Sequence, residues 1–397
     1  MRVSRTIALS VAVLVMAGCA MREAPREATR EVPRADRGVP FGSHALPYAA
    51  GSLRPSGDQK ALDAQVREYY GRWKAAFVTS ECGSRQVISP DADHPYVGEA
   101  QGYGLVIAAT MGDRELFDDL LRYVEAHPSV NNPDLLAAEQ NSSCKSVNGS
   151  DSATDGDLDV AYGLLMAARQ WGGDYRAKAE RRIAAIKAEE VNPDTKLLKL
   201  GDWATAEEPL SKVSRTSDWM IDHFRAFEKV DPSWAAIRQA HQKLIADIPG
   251  ETGLLPDFVK NGKPVKGEVL EDAHDGDYNW NALRDPWRIG ADAVTSGDPA
   301  SLAAARKLSR WISTTTGGDP AKIAAGYRLD GTPLEEGPEP AFVAPFTVAA
   351  LTDPSGQAWL DALWKTVTAT KLNKKDYFAA TVTLQSMITA TGNHWVP

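Results

Sequence analysis

The 397-residue chain reads as an all-α protein, a toroid of antiparallel helix pairs around one core. Three observations predict that fold class. From Asp58 to about residue 390, apolar residues recur at three- and four-residue spacing in successive stretches of helix length, with loops between them. No two alternating segments stand at hairpin spacing. About a dozen helices without a sharp internal repeat suit paired helices closing on themselves.

The elements follow in chain order. Residues 1–18 combine Arg2 and Arg5, an apolar run from Ile7 to Met16, and a small-residue ending before Cys19. That is the pattern of a secretory signal, too short to span a bilayer as a helix. The Met-Ala-Gly-Cys ending resembles a bacterial lipobox, which implies cleavage before Cys19 and lipid on its sulfur. Ala20, rather than Asp, points such a lipoprotein to the outer membrane, facing the periplasm or the exterior. Residues 19–57 are rich in Arg, Glu, Pro, Ala and Gly without apolar periodicity, and read as the lipidated end and a flexible tether. Residues 58–397 read as one domain. Spacing predicts helices over 58–78, 99–111, 114–126, 157–171, 175–189, 218–229, 232–248, 280–295, 299–314, 355–371 and 376–390.

With 44 Lys and Arg against 53 Asp and Glu, the chain carries a net charge of −9, which argues against nucleic acid as a partner. Its seven His form no His-Glu-x-x-His pair, and no Cys cluster or Gly-x-Ser-x-Gly elbow is present. An oxidising compartment permits Cys82 and Cys144 to bridge, tying together two acid-bearing segments; two buried free thiols are the alternative.

Those two segments carry the chemistry. In Ser152-Ala-Thr-Asp-Gly-Asp-Leu-Asp, a turn of small residues delivers Asp155, Asp157 and Asp159 into a helix start, where exposed amide donors favour a carboxylate. A calcium loop counted from Asp155 needs Gly and Glu where Val160 and Met166 stand, so calcium is not expected. The second segment, Val97-Gly-Glu-Ala-Gln-Gly-Tyr-Gly, opens another helix with Glu99, and its glycines permit close approach of a second backbone. Helix starts and loops also carry Trp203, Asp218, Trp219, Trp280 and Arg284, ends that a toroid can bring to one rim. Aromatic faces beside carboxylates and Arg suit sugars, which stack on one side and hydrogen-bond at the edge.

Together these segments resemble the active-site motifs of glycoside hydrolase family 8. The resemblance continues at Leu200-Gly-Asp-Trp203, Ser217-Asp-Trp-Met220, Asp222-His-Phe-Arg-Ala-Phe227, Thr252-Gly-Leu-Leu-Pro-Asp-Phe258, Asn281-Ala-Leu-Arg284 and Pro286-Trp-Arg288. It implies an (α/α)6 barrel, a polysaccharide substrate and no metal or organic cofactor, while the lipobox resemblance implies a membrane anchor through the lipid on Cys19; a monomer is expected. The family resemblance further implies that Glu99 is the proton donor and that Asp155 lies under the sugar ring, with Tyr103 and Arg284 shaping the same subsite. Glu99 then needs a raised pKa, against the pull of a helix start, which burial and Asp155 would have to supply.

Three departures from the family pattern matter. Asn281 stands where many members carry the Asp that activates water, and an amide cannot take that proton. A branch containing licheninases and chitosanases has the same Asn and draws its base from a preceding loop. Here that loop is Thr252–Tyr278, and the resemblance favours Glu271, with Glu268 as the alternative; Asn281 would orient the water. Ala138 replaces a Trp, a stacking platform worth about 1–3 kcal/mol. Gly98 and Ala100 are milder changes. The expected activity is an inverting endo-hydrolysis of β-1,4-linked glucan, with chitosan hydrolysis or inactive glycan binding as rivals.

Overall fold

The computed structural model describes residues 38–90 and 92–397. Among them, twelve α-helices form six pairs. The inner ring is α2 (Gly98–Met111), α4 (Thr154–Trp171), α6 (Ile221–Glu228), α8 (Asp285–Ser296), α10 (Pro340–Ala350) and α12 (Tyr377–Ala390). Each of these packs against the next in that order. Outside them lie α1 (Gln59–Phe77), α3 (Arg114–Ala126), α5 (Tyr175–Glu189), α7 (Trp234–Asp247), α9 (Pro299–Thr316) and α11 (Gln357–Ala369). They pair as α1 with α12, α2 with α3, α4 with α5, α6 with α7, α8 with α9, and α10 with α11. This is the (α/α)6 barrel.

Sequence sets the two rings apart. The outer helices bury one stripe, as α3 buries Leu116, Phe117, Leu120, Leu121 and Val124. The inner ones are buried on almost every side, as α2 is from Gly98 through Thr110. Helix α10 falls outside the helices predicted from spacing. It is apolar all round and holds Pro340 and Pro345, so it shows no polar face and reads as broken. Pro340 opens the helix, where its missing N–H costs nothing. Two- and three-residue strands also link the loops. One sheet joins Val213–Arg215, Phe258–Lys260 and Lys263–Pro264, and Tyr96–Val97 pairs with Glu139–Gln140. Segments so short carry no readable alternation.

The reading of 19–57 as a tether needs correction in its second half. Residues 38–57 lie across the C-terminal ends of the inner helices. The Ala49 and Leu53 N–H groups donate to the carbonyls of Val294 and Leu351, and Tyr48 Oη donates to that of Thr389 at 2.8 Å. Arg54 and Gln59 both reach the Thr391 carbonyl. These contacts satisfy carbonyls that a helix end leaves free. Cys19 and the signal segment lie outside the described residues.

Candidate active site

The N-terminal ends of α2, α4 and α12, with the segments that lead into α6 and α8, converge on a cleft of about 360 Å³. Helix α2 supplies Glu99, α4 supplies Asp155, and α12 supplies Tyr377 and Phe378. Arg215 comes from the strand before α6, and Asn281 and Arg284 from the turn before α8. Glu271, from the long loop, lines the same cleft.

Glycine brings the first two acids together. A Cβ on Gly102 would stand 2.8 Å from the Gly156 carbonyl, and one on Gly156 would stand 2.7 Å from the Gly98 carbonyl carbon. Only side-chain-free backbone lets α2 and α4 close to this distance. Arg284 then bridges the acids, with Nη1 2.5 Å from Glu99 Oε2 and 3.7 Å from Asp155 Oδ2. Burial pushes the Glu99 carboxyl up to about 7; Arg284 opposes the shift, and the Asp155 charge adds to it. A carboxyl poised there can hold a proton near neutral pH and release it to a leaving oxygen.

Across the cleft, Asn281 Nδ2 donates to Glu271 Oε2 at 2.8 Å, and Asn281 Oδ1 accepts from Arg284 Nη2 at 2.8 Å. The amide thus joins the acid-side cation to the loop carboxylate. Arg215 makes a second link, with Nη1 3.1 Å from Asp155 Oδ2 and Nη2 3.7 Å from Glu271 Oε1.

Beneath the cleft, Tyr103 Oη accepts from Arg284 at 3.3 Å and from Arg288 at 3.4 Å. A string of buried charges continues inward. Arg288 donates to Asp159 at 2.8 Å, His223 lies 2.9 Å from Asp159 and 2.8 Å from Asp222, and His394 meets Asp222 at 2.8 Å. Burial alone would lower the His223 pKa, but Asp222 and Asp159 outweigh it and raise it. Asp157 stands apart from the cleft, buried, accepting from the Leu136 N–H at 3.0 Å and from Arg182.

Three residues expected to bind substrate are placed differently, and a fourth, Trp280, borders the cleft. Trp219 is buried in the core, its indole donating to Ser214 Oγ at 2.9 Å, so it offers no face to a sugar. Asp218 is wholly buried behind Arg215, where burial raises its carboxyl to about 7. Trp203 packs beside Leu200, Val213 and Phe258 in a satellite cluster. Trp280 is 45% exposed and packs against Phe342 and against Phe378, which lines the cleft. Ala138 does line the cleft, next to Glu139. Cys82 and Cys144 are disulfide-bonded, with Cα atoms 5.7 Å apart.

Sequence reasoning did not assign roles to Arg215, Tyr377 and Phe378, which line the cleft, or to Asp257 behind it. Asp257 Oδ1 accepts from the peptide N–H groups of Asn279, Asn281 and Ala282 at 2.7–3.1 Å, fixing the turn that presents Asn281. Asp257 falls in a quoted motif, so its position was visible while its work was not. An Arg two residues before Ser217 in a strand, and an aromatic pair opening α12, carry no readable signal alone.

Comparison with known proteins agrees with the geometry. Residues 57–392 match the pattern of glycosyl hydrolases family 8. The chain is 36% identical over 376 residues to a beta-glucanase of Niallia circulans, covering 90% of this chain and 91% of that one. It is 32% identical to an endoglucanase of Bacillus sp. strain KSM-330, over 88% of this chain and 80% of that one. Among solved structures, the apo beta-1,3-1,4-glucanase of Paenibacillus sp. X4 superposes with a TM-score of 0.86 at 37% identity, covering 91% of this chain and all of that one. Rex8A of Paenibacillus barcinonensis, at 17% identity and a TM-score of 0.74, shares the fold. With its family-wide match and its paired acids at the mouth of an (α/α)6 barrel, the chain belongs to glycoside hydrolase family 8.

Proposed function

We propose that this glycoside hydrolase is an inverting endo-β-glucanase that cuts β-1,4 bonds in glucan, with mixed-linkage β-1,3-1,4-glucan as a substrate. The observation that carries the reading is the presence of Glu99, Asp155 and Glu271 in one cleft, with Asn281 hydrogen-bonded to Glu271. The beta-glucanase and beta-1,3-1,4-glucanase relatives, at 36% and 37% identity, support the choice of polymer.

In the proposed reaction the Glu99 carboxyl protonates the glycosidic oxygen as the bond to the anomeric carbon breaks. Asp155, under the sugar ring, stabilises the oxocarbenium-like charge that develops. A water held between Glu271 and the Asn281 amide attacks from the opposite face, and Glu271 takes its proton. Two carboxyl groups spaced for an intervening water give the inverted anomer. No step calls for a metal or an organic cofactor.

Chitosan hydrolysis is the second reading. It is favoured by Asn281 at the usual base position and by Glu139 as a further acid on the cleft wall. A panel of barley β-glucan, cellulose derivatives, chitosan and xylan, with product anomers followed by proton NMR, separates the two. Release of α-anomer from β-glucan is the expected result. Release of β-anomer sinks the inverting mechanism, and release from chitosan alone replaces the substrate. Binding without any release establishes an inactive glycan-binding protein.

We further propose that the protein is exported, lipidated at Cys19 and held as a monomer on the outer membrane, on the strength of the signal-like segment and the lipobox resemblance. Metabolic labelling with a palmitate analogue, compared with Cys19→Ala, tests the anchor; equal labelling of both rejects it.

A further inference from the structure

A general base must be held to within a fraction of an ångström, yet Glu271 sits in a loop with no helix or strand of its own. The backbone of that loop is gathered by one side chain. Asp275 Oδ2 accepts from the peptide N–H groups of Val269 at 2.7 Å, Leu270 at 2.7 Å and Glu271 at 3.1 Å. Its Oδ1 accepts from that of Asp272 at 3.0 Å. Four consecutive peptides, including that of Glu271, therefore converge on a single buried carboxylate. Burial opposes its ionisation, and the four donors outweigh that and hold its carboxyl below the ordinary value.

Asp275 is itself tied to the sheet beneath the cleft. Its carbonyl accepts from the Phe258 N–H at 2.9 Å, and Phe258 pairs with Arg215. The residue before Phe258 is Asp257, whose carboxylate gathers the peptides of Asn279, Asn281 and Ala282. Two carboxylates thus shape two facing segments, one bearing Glu271 and the other Asn281, and the segments meet at the Asn281–Glu271 hydrogen bond.

We propose that Asp275 is a positioning residue for the base, fixing through these four peptide N–H groups the backbone from which Glu271 reaches the cleft. The inference rests on the reading of Glu271 as the base. Asp275 touches no substrate; it acts through another residue. Replacing it should loosen the base without emptying the binding groove.

The test measures kcat, KM and thermal unfolding on barley β-glucan for Asp275→Ala, Asp275→Asn, Glu271→Ala and the double variant Glu271→Ala/Asp275→Ala. Misplacement of a reacting group by about 1 Å costs on the order of a hundredfold. Asp275→Ala should therefore lose kcat by about that factor with KM little changed, unfolding still in one cooperative step. Asp275→Asn keeps one accepting oxygen and should fall between it and the parent. Asp275→Ala fails to fold only if the loop supports the whole barrel, and Asp275→Asn then carries the comparison. The double variant should be no slower than Glu271→Ala, because a loop without its base has nothing left to position. Parental kcat in Asp275→Ala and Asp275→Asn, or a double variant whose loss is the product of the two single losses, overturns the inference. Full activity in Glu271→Ala defeats the functional reading instead, and the inference with it.

Discussion

At the scale of single residues, Glu99 carries the most exposed wager. It opens a helix whose amide donors favour the carboxylate form, yet burial and Asp155 push its carboxyl up to about 7. The acid works only while it keeps its proton, so kcat/KM for β-glucan should fall as pH rises through about 7. Glu99→Gln cannot donate, and loss of a general acid costs about 10²–10⁴-fold. The variant should lose kcat by that factor, with KM little changed and unfolding temperature preserved; a loss under tenfold would remove Glu99 from the role. This residue was legible because a short motif at a helix start, Val97-Gly-Glu-Ala-Gln-Gly-Tyr-Gly, carries it. Arg215 was not, because an Arg in a three-residue strand becomes informative only when folding sets it between Asp155 and Glu271. The tryptophans misled for the opposite reason. Composition beside an acid suggests a sugar platform, but Trp219 spends its indole on Ser214 in the core.

Among elements, the decisive contact is α2 against α4. The glycines at 102 and 156 allow the two helix starts to approach until Glu99 and Asp155 share Arg284. Gly102→Ala would place a Cβ 2.8 Å from the Gly156 carbonyl and 2.9 Å from Asp159 Cβ. Such overpacking typically costs about 1–3 kcal/mol. Urea unfolding should show a loss in that range, together with a lower kcat as the two acids part. Parental stability would mean that the helices have more room than the backbone geometry gives them. Helix positions were readable wherever a polar face marked the period, as in α1, α3 and α9. Where the period vanishes, as in α10, only enclosure within the ring makes the helix, and no local pattern could announce it.

For the whole molecule, the string from Arg288 through Asp159 and His223 to Asp222 occupies the barrel's interior with alternating charge, and His394 closes it with a hydrogen bond to Asp222. Breaking one partner of such a set leaves a buried charge uncompensated. His223 has a folded pKa raised above 6.5, so its contribution is complete below that value and is lost as pH rises through the folded one. Asp222 and Asp159 are lowered from 3.8, so theirs is present above that value and is lost as pH falls through the folded ones. Unfolding free energy should therefore decline on the alkaline side, starting above pH 6.5. His223→Gln should be less stable at pH 6 and lack that decline, which urea titrations at several pH values will show. An identical alkaline slope in the variant would take His223 out of the account. The fold class was legible from periodicity, and resemblance supplied the barrel. Neither could show that charges would line its axis, since each member of the string looks like an ordinary polar residue until the ring closes.

The strap of residues 38–57 has its own bearing on how the enzyme meets a polymer. It enters where the inner helices finish, while the groove opens where they begin, so the two lie at opposite poles. A polysaccharide many times longer than the groove can lie across one pole and run past it on either side without encountering residues 38–57.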